Sequence, residues 1–175
     1  MSMASGDTLF VLAPESSKPP SANPATFDTI ADASTPNTEF LVLDFDGATA
    51  EHADWLVTVP SHYAGTTGFT FSYKYAPDGA TAGTVKFDVR VVTLADLDIL
   101  TADLGIDTQT AASVTDTVPA TPTDKLNVTA TTALAKANMG TPAAGDRIII
   151  RVSRDPATDT DTDDAQLLEV YVTET

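Results

Sequence analysis

A chain of 175 residues suits one domain with a full hydrophobic core and no need of covalent staples. Its 25 Asp and Glu against 9 Lys and Arg give a formal net charge of -16, which sets the surface against nucleic acid phosphates and anionic membranes as partners. The lack of cysteine excludes disulfides and thiolate metal sites.

Met1 to Phe10 has no basic region followed by a long apolar run and does not read as a secretory signal. Residues 1–38 read as an extended, proline-rich N-terminal arm, and residues 39–175 as the main domain. Leu9 to Leu12 form a short apolar run, and Pro14, Pro19, Pro20 and Pro24 follow closely. Proline fixes φ and carries no N–H, so this stretch is excluded from helix and sheet interiors. Leu9 to Leu12, Phe27 and Ile30 favour a strap over a free linker, laid either on another surface or on its own domain.

From Phe40 onward the pattern is β. Phe40 to Phe45 is an apolar run ended by the turn signal Asp46-Gly47. Trp55, Val57 and Val59 alternate with Leu56 and Thr58 until Pro60. Phe69, Phe71, Tyr73 and Tyr75 alternate with Thr70, Ser72 and Lys74, a period of two with one aromatic face. Pro77-Asp78-Gly79 turns the chain. Val85, Phe87, Val89 and Val91 alternate with Lys86, Asp88 and Arg90. Leu94 to Leu104 fits a helical turn or a long Asp-rich loop. Ala111 to Val118 and Lys125 to Thr132 are rich in Thr and Val, with Pro119 and Pro122 between them. Leu134 to Met139 reads as a short helix closed by Gly140. Ile148, Ile150 and Val152 face one way, and Ile149 makes that strand apolar on both faces, as a central strand would be. Asp155 to Asp164 reads as an acidic loop, and Leu168 to Val172 as the last strand. About eight strands at short spacing predict an all-β, antiparallel, jelly-roll-like β-sandwich. No apolar stretch approaches the roughly 18 residues of a membrane span.

Chemistry is sparse. His52 and His62 lack the spacing of a helical zinc pair. There is no nucleophile elbow, phosphate loop or dinucleotide fingerprint. Asp159, Asp161, Asp163 and Asp164 resemble the start of a calcium loop, but no glycine stands at the sixth position and Val170 stands where the closing glutamate belongs. A solvated hairpin loop is the alternative, and EDTA would lower the melting temperature only of a calcium loop. Asn127-Val128-Thr129 matches a glycosylation sequon, which a Thr-rich chain produces by chance. The expectation is therefore no catalytic, cofactor-binding or metal-ligating residue, and no cofactor.

The order of Phe40-Leu41-Val42-Leu43-Asp44-Phe45-Asp46, Trp55, Val57-Thr58-Val59-Pro60, Tyr63-Ala64-Gly65, Phe71-Ser72-Tyr73-Lys74-Tyr75, Gly83-Thr84-Val85-Lys86-Phe87, Asp116-Thr117-Val118-Pro119, Ala144 to Asp155 and Asp164 to Val170 resembles virion-surface β-sandwich proteins of tailed bacteriophages, in particular capsid cement (decoration) proteins. The likeness spans roughly residues 38–173. It implies a homotrimer on the outer capsid surface of the virion, seated on the phage major capsid protein, and no catalytic residues. Related sandwiches of tailspikes and head fibres touch the host surface, so a carbohydrate-binding or host-attachment module is the alternative. Its aromatic platform would draw on Tyr63, Trp55 and Tyr75, although Trp55 alternates as a core residue does. A glycan hydrolase is a third reading, since fold does not determine function.

Overall fold

The alternating segments fold as antiparallel strands in two sheets that share one core. The computed structural model describes residues 6–119 and 123–175, so Met1 to Ser5 and Pro122 lie outside the described residues. The strands are β1 (Thr8–Leu12), β2 (Thr26–Ala31), β3 (Glu39–Phe45), β4 (Glu51–Thr58), β5 (Gly68–Pro77), β6 (Thr84–Leu94), β7 (Ala112–Thr117), β8 (Asn127–Val128), β9 (Thr132–Ala135), β10 (Arg147–Arg154) and β11 (Ala165–Glu174). The larger sheet runs β2-β3-β11-β5-β8, with β1 also on β11 and β9 also on β5; the smaller runs β4-β10-β6-β7. The expected all-β sandwich is the fold observed.

Period-two patterning decides which side chains meet between the sheets. Phe69, Phe71, Tyr73 and Tyr75 of β5 are fully buried, as are Phe87, Val89 and Val91 of β6. Phe87 joins the two layers: Tyr73 stacks on it at 5.0 Å, and Phe45 and Tyr75 meet it edge-on at 5.9 and 5.4 Å. Such pairs add to simple burial because the ring edge is positive and the face negative. The Tyr75 hydroxyl donates to Asp116 Oδ2 at 2.9 Å, whereas the Tyr73 hydroxyl has no partner.

The N-terminal segment is built into the sandwich. β1 pairs with the end of β11, and β2 forms a hairpin with β3 from Thr26↔Asp44 to Ala31↔Glu39. The division expected between residues 38 and 39 thus falls inside a hairpin, and of the two strap readings the arm packed on its own domain is the one observed. Its proline-rich middle covers the edge of β4. Lys18 N donates to Asp54 O, His52 N to Asn23 O and Ala25 N to His52 O. An open strand edge invites pairing with other chains, and prolines without donors end that invitation.

Three local expectations change. Leu134 belongs to β9, where it faces the core beside Phe69, and only Lys136–Met139 turns as a 3-10 helix before Gly140. A free edge of β5 outcompetes so short a helix, since helix nucleation is costly. The Leu94 to Leu104 segment is loop and turn after the end of β6. Ile149 does lie on a central strand, β10, between Leu56 and Val92; Val92 is buried there, whereas Leu56 on the other side remains half exposed.

Candidate functional site

One irregularity in β11 shapes the candidate site. The pairing of β11 with β5 shifts register between Leu167 and Glu169. The bulge sends Leu167 and Val170 to the core and leaves Leu168 on the outer face of the larger sheet. Bulges commonly re-aim a side chain in this way. Leu168 there helps line a groove of about 190 Å³ with Ile30, Phe40, Ala76, Asp124 and Leu126. Ile30 and Phe40 are direct cross-strand partners in the β2–β3 hairpin. Asp124 N donates to Pro77 O, which holds the opposite wall against the end of β5. Phe40 is 46% exposed and Leu126 60%, so apolar surface faces solvent on both walls.

Polar groups adjoin the apolar floor. Strand register aligns Thr26, Asp44, Gln166 and Ala76 in one row across β2, β3, β11 and β5. Directly opposed side chains stand about 5 Å apart at Cβ. Leu167 points to the core, so Gln166 lies on the groove side of the sheet. Gln166 is only 3% exposed, and its Oε1 has no hydrogen-bond partner; Asp44 Oδ1 has none either. Buried acceptors are normally paired, so these two are exceptions; both oxygens are closed to solvent, and neither residue lines the groove.

The electrostatics are one-sided. Burial, then the charges of Asp164, Asp78, Asp28 and Glu51, push the Asp44 carboxyl up to about 7. Burial and the charges of Asp124, Asp164, Asp28 and Asp163 push Asp78 upward as well. Perturbed carboxyls in a cleft mark candidate functional sites, because a fold that crowds like charges must hold them there by other means.

The residues singled out in the sequence fall elsewhere. Trp55, Tyr63 and Tyr75 are 1%, 5% and 0% exposed, so none can serve as a platform. Trp55 Nε1 instead donates to Ala13 O, tying the arm to the core. His52 hydrogen-bonds Ser153 through Nδ1, and burial, then the Arg151 charge, pushes it below the usual histidine range. His62 is exposed in the turn that Tyr63 N closes by donating to Pro60 O. Thr129 of the sequon is buried; Tyr73 N donates to its hydroxyl, and Thr129 N donates back to Tyr73 O.

The acidic loop is solvated only in part: Ala157, Thr158, Thr160 and Thr162 are exposed, while Asp161 and the Asp159 side chain are buried. Its centre is the fully buried guanidinium of Arg154. Nε donates to Asp159 Oδ2 at 3.0 Å, Nη1 to Phe45 O at 3.1 Å and Asp163 O at 2.7 Å, and Nη2 to Asp161 O at 2.8 Å. The converging oxygens thus already surround a cation, and a metal ion would have to displace it. Among the described residues no three His, Asp or Glu side chains converge as metal ligands do. Gly47 is required here: a Cβ on it would lie 2.2 Å from Thr162 O. Neither the sandwiched arginine nor the bulge has a motif in the sequence; Gly47, Gly79 and Gly83, which pack against residues 160–163, reach the loop only through the fold.

No family model matches the chain, and no curated protein does. Among solved structures it is similar to the Agl-KA catalytic domain, at TM-score 0.51 and 11% identity over 98% of this chain and 28% of that one. It is also similar to a family 35 carbohydrate-binding module from Clostridium thermocellum, at TM-score 0.46 and 14% identity over 95% and 98% of the two chains. The module CBM6cm-2 of Cellvibrio mixtus lichenase 5A, in complex with cellotriose, gives 0.44 and 11% over 96% and 98%. The chain spans less than a third of the Agl-KA domain, and what it shares with that domain is the fold.

Proposed function

We propose that this chain is a non-catalytic, glycan-binding β-sandwich module. One observation carries the reading: the groove sets the exposed Phe40 ring, with Ile30, Leu126 and Leu168, beside the acidic side chain of Asp124 on one sheet face. A sugar offers an apolar ring face and hydroxyl donors together, and few ligands match such a mixed wall as well. Binding sites of this kind are largely apolar with a few placed polar groups. Affinity electrophoresis against a panel of soluble polysaccharides tests it. At least one should retard the native chain, and Phe40→Ala should abolish the retardation while leaving the melting temperature within a few degrees. Failure of every polysaccharide to retard the chain would end the reading.

A second reading keeps the role implied by the phage resemblance: a homotrimer on the outer capsid surface that contacts the major capsid protein. What favours it is a loop far more apolar than solvent requires. Leu97, Ile99 and Leu100 are 90%, 70% and 70% exposed, and Leu56 borders them. Contiguous exposed apolar side chains mark protein contacts. Light scattering should then give a trimer mass, and Leu97→Ser with Leu100→Ser should stop the protein from decorating phage heads. A monomer at all concentrations would count against this role.

A further inference from the structure

We propose that this chain forms an isologous dimer through the end of the sandwich that carries Leu97, Ile99 and Leu100, with Arg147 of each copy facing Asp96 of the other. The inference goes beyond both readings above. It names a second copy of this chain as what covers the apolar loop, and it leaves the Phe40 groove of the other sheet open.

The first support is a pair of unmatched charges on one patch. Arg147 Nη1 donates to Thr58 Oγ1 at 3.2 Å, and the guanidinium meets no carboxylate, although Asp96, Asp98 and Asp146 line the same groove. Asp98 and Asp146 are held within the chain, accepting from Ala95 N at 2.7 Å and Ala143 N at 2.9 Å. Asp96 has no partner among the described residues. Two opposite charges that do not meet within one copy meet across a two-fold axis, where residue i of each copy faces residue j of the other. The second support is shape. Beside the protruding Leu97 and Leu100 lies a recess of about 490 Å³, bordered also by Leu56 and Leu94. The same axis sets each copy's protruding leucines against the other's recess, and contiguous exposed apolar side chains call for such cover. The third is the field of the whole chain. Thr84 N donates to Thr160 Oγ1, Gly47 N to Asp164 Oδ1 and Asp78 N to Asp164 O, so the most acidic loops gather at the Thr84 end of β6. The apolar loop follows Leu94 at the other end, about 33 Å away at the usual strand rise and beyond the roughly 10 Å over which salt screens exposed charges. Two chains of net charge -16 that meet through the Leu94 end keep those loops outermost and approach with least repulsion.

Sedimentation equilibrium of the full chain over a concentration series at physiological ionic strength should give a dimer mass. Leu97→Ser with Leu100→Ser should weaken the association at least about tenfold and leave the melting temperature unchanged, since both side chains stand in solvent in the single copy. Arg147→Asp and Asp96→Arg should each weaken it by a similar factor, because every pair occurs twice across the axis and each reversal sets like charges together. An equimolar mixture of the two reversed chains should regain the native association, since both pairs then return with their signs exchanged. A monomer at every concentration would overturn the proposal, and so would a trimer, in favour of the capsid reading. A dimer that none of the four substitutions weakens would overturn this interface, and a mixture no tighter than its separate chains would overturn the pairing of Arg147 with Asp96.

Discussion

Replacing Arg154 with methionine should destabilise the protein by about 3–5 kcal/mol, the cost of stranding a buried charge by removing its partner. Methionine fills much of the same volume and donates nothing. Asp159, whose side chain is wholly buried, would then sit uncompensated, and Phe45 O, Asp161 O and Asp163 O would each lose a donor. Arg154→Lys should recover little, because one compact ammonium cannot span four acceptors that a planar fork reaches together. Adding Asp159→Asn to Arg154→Met should recover part of the loss by removing the stranded charge. Urea unfolding followed by tryptophan fluorescence reads the change, since Trp55 is a core residue. A loss below about 1 kcal/mol, the range of an exposed ion pair, would show that the guanidinium does not organise the loop.

Much of this architecture is legible in the sequence, for a physical reason. Strands with one buried face must alternate, and Phe69 to Tyr75 and Val85 to Val91 do so without a break. Turn chemistry is equally local: Asp46 accepts from Ala48 N and Thr49 N through Oδ1, as an Asp before Gly commonly does in a turn. The arm is less legible. Phe27, Ile30 and their neighbours show only weak alternation, because β2 is an edge strand whose residues are almost all exposed. What places it is pairing with β3, a non-local decision made by an available edge.

The site is hardest to read because nothing local encodes it. Simple parity groups Leu168 with Val170 and Val172 on one face, and the bulge before Glu169 breaks that parity. Phe40, Leu168 and Asp124 are far apart in the chain and meet only through the order β3-β11-β5. The aromatic residues that sequence reasoning offers for sugar stacking, Trp55, Tyr63 and Tyr75, are larger and more amphipathic than Phe40, and those qualities suit them to the core here. The Asp-rich stretch misleads in the same way. Alternate aspartates signal a demand for a cation, and the sequence does not reveal that the cation is Arg154 from the preceding strand.

Asp44→Asn should make the protein more stable above about pH 7 and leave it unchanged below about pH 4. The carboxyl is held near 7 in the fold, above its ordinary 3.8, by burial and by Asp164, Asp78, Asp28 and Glu51. The native state therefore keeps its proton where the unfolded chain gives it up. Between those two values unfolding releases a proton, so stability falls as pH rises, and above about 7 the whole penalty of a crowded, half-buried carboxylate is present. Solvent screens part of that penalty at a side chain this accessible, which brings the expected gain for asparagine to about 1–2 kcal/mol. Burial pushes Glu51, Asp78 and Asp161 upward too, so the native chain retains a slope of the same sign after the change. His52, pushed down by burial, works in the opposite sense and cancels when the variant is compared with the native chain at each pH. Urea midpoints at about pH 4 and about pH 8 suffice. A variant no more stable than the native chain at the higher pH would mean that Asp44 is well solvated and that the acidic side chains around it do not crowd it.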